Sequence, residues 1–138
     1  MRYALALTLA VAGCSTPPTQ PSWPGSQPGS STKAVHSLVE VARADAAAGR
    51  LANAAASMER AIRLDPRNAH LWQELARVRL KQGEYVQAEH VALRSNALTR
   101  ADWTLRTENW NIIAQARDAR GDADGARSAR ELAKRMEH

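Results

Sequence analysis

The feature that most constrains this chain is a set of glycine and alanine positions that recur at a fixed spacing. Gly49 and Gly83 lie 34 residues apart, as do Ala54 and Ala88, and a further glycine follows 38 residues later at Gly121. A period of this length is typical of arrays in which each unit is a pair of helices that buries its apolar face against the next pair. The spacing therefore predicts an all-α repeat fold.

The local composition agrees with helical pairs. From residue 34 onward the chain is rich in Ala, Leu, Arg and Glu, and each recurring glycine can end a first helix because glycine adopts the left-handed conformation without strain. The second interval, from Gly83 to Gly121, is longer by residues 103–106, which correspond to about one α-helical turn. We expect these residues to add one turn to the start of the fifth helix without changing the register of its buried face.

Specific residues of the second unit match a known repeat. They are Trp72, Leu75, Ala76, Gly83, Tyr85 and Ala88. On these residues the chain resembles the tetratricopeptide repeat (TPR) family, although Arg100 stands where a proline is expected at the end of the unit. The resemblance implies a short right-handed solenoid over residues 34–138. Its three helix-turn-helix repeats would be at about 35–68, 69–102 and 107–138, with the insertion at 103–106.

The N-terminus carries the pattern of an export signal. Arg2 precedes an apolar run over residues 3–12, which is shorter than the roughly 20 residues needed to cross a bilayer. The run ends in Val-Ala-Gly followed by Cys14, which resembles the lipobox of bacterial lipoproteins. The resemblance implies that residues 1–13 are a cleaved signal peptide and that Cys14 carries diacylglycerol and an N-acyl lipid, with no other cofactor. The alternative is a chance cysteine in an ordinary signal peptide or a core helix.

Residues 14–33 form a segment of different composition. Between Cys14 and Lys33 the chain reads STPPTQPSWPGSQPGSST, which holds five of the six prolines and no charge. Such a segment has too little apolar surface to offset its ordering entropy, so we expect an extended, disordered linker that holds the repeats away from the membrane. Trp23 either contacts the lipid interface or a partner, or is a solvated residue of the linker. Because Ser15 follows the cysteine, the lipoprotein resemblance implies the outer membrane, facing the periplasm.

Composition excludes several classes of function. The net charge of +5 is spread along the chain without a basic cluster among aromatic residues, so no nucleic-acid partner is expected. The histidines His36, His70 and His90 do not have the spacing of a metal site. The chain also has no nucleophile motif and no glycine-rich phosphate loop. We expect a protein that is not an enzyme and holds no metal.

In the TPR family, the first helices of successive repeats line a groove that binds a peptide. The resemblance places such a groove on a polar, mildly basic row of side chains, in which the arginines could pair with acidic side chains of a partner. The row comprises His36, Val39, Arg43, His70, Gln73, Arg77, Lys81, Asn111, Gln115 and Asp118. The alternative is that this row is a solvated face and that the partner docks elsewhere.

The tryptophans fall into two kinds. Trp72 and Trp110 match the packing residue of the repeat and are expected in the core. Trp103 lies in the insertion and has no role in the repeat. It is either an additional packing residue or an exposed interface anchor, since aromatic residues are common among interface hot spots.

The combination of lipid anchor, proline-rich linker and short repeat domain resembles outer-membrane lipoproteins that activate class A penicillin-binding proteins. It implies a periplasmic scaffold for protein binding, with a role in peptidoglycan synthesis and thus in the cell wall. Two alternatives remain. One is a pilotin-like lipoprotein for type IV pilus or secretin assembly. The other is direct binding of an anionic wall or lipid polymer by the arginines, which salt would weaken steeply.

Overall fold

The computed structural model describes residues 28–99 and 101–136, and within these ranges the chain forms six α-helices and no strand. The all-α prediction is confirmed. The predicted signal peptide, Cys14 and Trp23 lie outside the described residues. The helices are α1 (Pro28–Ala47), α2 (Leu51–Leu64), α3 (Ala69–Lys81), α4 (Tyr85–Leu98), α5 (Trp103–Ala119) and α6 (Ala123–Arg135).

The helices pair in chain order, α1 with α2, α3 with α4 and α5 with α6, and each pair packs on the next. Glycines with positive φ lie between the two helices of every pair, at Gly49, Gly83 and Gly121. At Gly83, φ is +77°, its N–H donates to the carbonyl of Leu80 (3.1 Å), and the next N–H, of Glu84, donates to the carbonyl of Arg79 (3.0 Å). These bonds satisfy the last carbonyls of α3 and reverse the chain, as the spacing of the glycines predicts.

Side chains also fix where the helices begin. The Asn68 side chain accepts a hydrogen bond from the N–H of His70 (3.2 Å) at the start of α3. At the start of α5, Asp102 accepts from the N–H of Leu105 (2.9 Å). Because this cap precedes Trp103, α5 has 17 residues against 13 for α3. The additional turn predicted for residues 103–106 is confirmed.

The core is built on small residues that let the helices approach closely. Ala54, Ala88 and Ala126 occupy the same position in the three repeats and are fully buried. Larger side chains fill the remaining space around them, with Met58 in the first half and Ile113 in the second. The recurring alanines therefore mark the contacts between helices, as the sequence predicts.

The first helix begins earlier than the sequence indicates. Helix α1 starts at Pro28, so residues 28–33, assigned above to the linker, form its first turns. Proline is well suited to the first position of a helix because its fixed φ is helical and its missing N–H would have no partner there. None of the helices within the described ranges is both long and apolar enough to cross a membrane.

Candidate protein-binding groove

The first helices α1 and α3 enclose a depression of about 400 Å³. Val35, Val39 and Leu71 supply its apolar lining, and the polar side chains include His36 and His70. A second depression, of about 260 Å³, continues toward the other end of the two helices and includes Lys81. We call this combined surface the groove. Six of the predicted residues line it: His36, Val39, Arg43, His70, Arg77 and Lys81.

The two arginines of the groove are already paired within the protein. Arg43 donates from Nη2 to Oε1 of Glu74 (3.2 Å) and from Nη1 to Oε1 of Glu40 (3.2 Å). The hydrogen bond and charge of Glu74, assisted by Glu40, raise the pKa of Arg43. Arg77 donates from Nη2 to Oε2 of Glu108 (2.6 Å). An acidic partner would therefore have to compete with internal carboxylates for both guanidinium groups.

These pairs repeat with the fold. Arg43 and Arg77 are 34 residues apart, and so are their partners Glu74 and Glu108. Helices α1 and α3 thus each carry an arginine that pairs with a glutamate of the next first helix. The two arginines of the groove are consequently compensated by internal carboxylates.

Gln73 does not line the groove, contrary to the prediction. It is buried, and its Nε2 donates to the carbonyl of Leu105 (3.3 Å). The physical reason is that α5 packs against this side of α3 and covers it. Asn111 is the counterpart of Gln73 in the third repeat and remains exposed, because within the described residues no further repeat packs on α5.

The third repeat contributes less to the groove than expected. Asn111 and Gln115 are exposed on α5 but line neither depression. Asp118 forms an ion pair with Arg130 of α6. Their participation in partner binding stays a prediction.

A buried polar cluster lies where α5 meets α3 and α4, and the sequence reasoning missed it. Asn109 donates from Nδ2 to Oγ of Ser95 (2.8 Å) and to Oδ1 of Asn96 (2.9 Å). Ser95 in turn donates to the carbonyl of Ala69 (2.8 Å). The sequence signal for this cluster was a departure from the repeat pattern. Asn109 stands at the position of Leu71 in the preceding repeat, and Ser95 stands where the other repeats have an alanine.

Trp72 and Trp110, expected in the core, are partly buried and pack against it, whereas Trp103 is exposed. Trp72 packs against the first core cluster and donates from Nε1 to the carbonyl of Pro66 (2.9 Å), and Trp110 packs against the second cluster. Trp103 is 54% exposed and lines a depression of about 310 Å³. Its exposure rules out the packing role for this side chain, and its role as an interface anchor stays a prediction.

Among residues 28–99 and 101–136, no group of three or more His, Cys, Asp or Glu side chains is placed to hold a metal ion. The polar side chains of the groove are instead arranged around an apolar floor. Such a surface can bind a peptide segment through backbone hydrogen bonds and apolar contacts.

Comparison with known proteins agrees with this architecture. Residues 45–102 match a family model described as tetratricopeptide repeat. The globular C-terminal domain of P. aeruginosa LpoP is 42% identical, with a TM-score of 0.71 over 72% of this chain and 94% of that domain. The N-terminal domain of stress-induced protein-1 (STI-1) from C. elegans shares the fold, with a TM-score of 0.67 at 18% identity, over 78% of this chain and 98% of that one. No curated protein matches the chain significantly in sequence.

The helix pairs and the groove define a helical-repeat scaffold for protein interaction. The chain belongs to the tetratricopeptide repeat family, and the C-terminal domain of P. aeruginosa LpoP is a relative at 42% identity.

Proposed function

We propose that this protein is a lipid-anchored periplasmic scaffold that binds a class A penicillin-binding protein and activates it during peptidoglycan synthesis. The observation that carries the proposal is the 42% identity to the C-terminal domain of P. aeruginosa LpoP, nearly all of which is covered. That match concerns the repeat domain, and the lipobox and linker add to it the resemblance of the sequence to lipoprotein activators of these synthases.

The anchor and the linker determine what the repeat domain can reach. A lipidated Cys14 with three acyl chains would hold the protein firmly in the outer membrane, since each buried CH₂ contributes about 0.8 kcal/mol. Helix α1 begins at Pro28, so only residues 14–27 remain as a tether. Fully extended, they span at most ~50 Å. The partner must therefore extend toward the outer membrane to meet the repeats.

Activation by such a scaffold is a binding effect and requires no chemistry from the scaffold itself. A protein without catalytic groups raises the activity of an enzyme if it binds the active conformation more tightly than the inactive one. We therefore propose a role without enzymatic activity, in which the affinity difference between the two synthase states sets the degree of stimulation.

The test is a glycan-polymerisation assay with a class A synthase, lipid-linked disaccharide substrate and the full lipidated chain in detergent. We expect a faster rate with the protein present. Cys14→Ser is the matched control, because it removes the anchor but leaves the repeats unchanged. This variant should still stimulate the synthase in detergent, but in cells it should no longer be found in the outer-membrane fraction. Absence of both stimulation and copurification would contradict the proposal, as would loss of secretin multimers with normal wall synthesis in a deletion strain.

A further inference from the structure

Trp103 and Arg106 form an aromatic and cationic pair at the start of α5, in which the indole is exposed and the arginine is partly buried. The guanidinium carbon of Arg106 lies 5.3 Å from the centre of the Trp103 ring, and the indole is more than half exposed. Thr104, Thr107, Glu108 and Met136 complete the depression beside the indole. The pair lies on the additional turn of α5, so the other repeats have no equivalent of it.

The charge state of this pair differs from that of the groove. Arg43 and Arg77 are compensated by Glu74 and Glu108, whereas Arg106 has no ion pair with any described residue. Its Nε is buried without a hydrogen-bond partner among those residues. Glu108 borders the same depression, but its carboxylate is already engaged by Arg77. The uncompensated cation next to exposed aromatic surface is therefore Arg106.

A second stacked pair shows what distinguishes this site. Arg94 lies over the ring of Trp72 at 5.7 Å, but that indole is half-buried and its Nε1 is bonded to the carbonyl of Pro66. Stacking alone thus occurs elsewhere in the protein. Only at Trp103 is it combined, within the described residues, with a largely exposed indole.

We propose that Trp103 and Arg106 are the docking site for a partner segment that presents a carboxylate beside an apolar side chain. The carboxylate would pair with the guanidinium of Arg106, and the apolar side chain would pack on the indole and on Met136. Stacking on Trp103 holds the guanidinium in place before binding, which lowers the entropy lost on association. The identity of the partner rests on the proposed function, but the chemistry of the site does not.

The first test is the affinity of the full chain for a purified class A synthase. We expect Trp103→Ala and Arg106→Ala each to weaken binding about tenfold or more, as for interface hot spots. Arg94→Ala is the matched control, since it removes a guanidinium from a tryptophan outside the site, and it should bind as the wild type does. The proposal is overturned if the Trp103 and Arg106 variants remain folded by circular dichroism and bind with unchanged affinity.

If no synthase binds, the proposed function is refuted but the inference about Trp103 and Arg106 is not. A second measurement then tests that inference by itself. A photoreactive residue is placed at Thr107 in one strain and at His36 of the groove in another, and the crosslinked partner peptides are sequenced. The inference requires an adduct from Thr107 on a peptide with Asp or Glu beside an apolar residue. No adduct from Thr107, or an adduct on a peptide without a carboxylate, overturns it.

Discussion

Asn109 and Asn111 are two residues apart on α5 and have opposite surroundings. Asn109 is buried and bonded to Ser95 and Asn96, whereas Asn111 points to solvent. Leaving a buried polar group without a partner costs about 1–3 kcal/mol, so the two bonds from Nδ2 hold Asn109 in place, although its Oδ1 has no hydrogen-bond partner among the described residues. The cluster therefore ties the position of α5 to that of α4, which also orients the turn that carries Trp103.

We expect Asn109→Ala to lower the free energy of unfolding by about 1–3 kcal/mol, since it removes the hydrogen bonds that Asn109 donates to Ser95 and Asn96 and opens a small cavity. Urea unfolding followed by circular dichroism measures the effect. Asn111→Ala on the same helix is the control and should change the stability by less than about 0.5 kcal/mol. Equal effects of the two substitutions would show that the buried cluster does not stabilise the fold.

At the scale of helices, two kinds of ion pair connect successive repeats. The pair Arg77–Glu108 is exposed and joins α3 to α5. Glu89 of α4, only 13% exposed at its side chain, accepts from Arg117 (2.6 Å) and Arg120 (2.9 Å) of the α5 region. Arg117 also donates to the carbonyl of Gly125 (3.1 Å) and so links three helices. Solvent screens an exposed pair, so the shielded Glu89 cluster contributes more to the packing of helices.

Glu89→Gln should therefore destabilise the protein by about 1–3 kcal/mol, because it leaves two guanidinium groups without their carboxylate. Glu108→Gln is the matched control, and we expect it to cost between about 0 and 1 kcal/mol. Thermal unfolding at low and high salt measures both. A larger loss for Glu108→Gln than for Glu89→Gln would contradict this ranking.

At the scale of the whole molecule, α1 packs mainly against a single helix, α2, among the described residues. Val41 of α1 is 49% exposed, whereas Leu75, its counterpart one repeat later, is 5% exposed. The difference arises because α2 packs against α3 on the side of Leu75, and no described residue packs before α1. In a repeat array stability comes from contacts between neighbours, so a terminal helix with one neighbouring layer is held less firmly than an internal one.

We predict that the amides of α1 exchange with solvent faster than those of α3 and α4 under native conditions. The reason is that α1 packs mainly against α2, whereas α3 packs against α2, α4 and α5. Hydrogen exchange with mass spectrometry on the full chain measures the order. Similar protection across all helices would mean that the array unfolds as a single cooperative unit.

Much of this architecture could be predicted from spacing alone. The positions of Gly49, Gly83 and Gly121 located the turns, because a left-handed turn residue is a local requirement of the backbone. The recurring alanines located the close contacts between helices, because a small side chain at the same position of each repeat lets the helices approach closely. The extra turn at residues 103–106 followed from the period of the helix.

The sequence by itself thus determined the helix pairs and their order, because turns, caps and helical periodicity depend on residues close in the chain. Only the tertiary structure decided which polar side chains are available to a partner. Gln73 is buried by α5, and Arg43 and Arg77 are each paired with a glutamate 31 residues away. Those contacts join different repeats, so they depend on how the helix pairs stack. The spacing of residues along one helix does not predict that stacking.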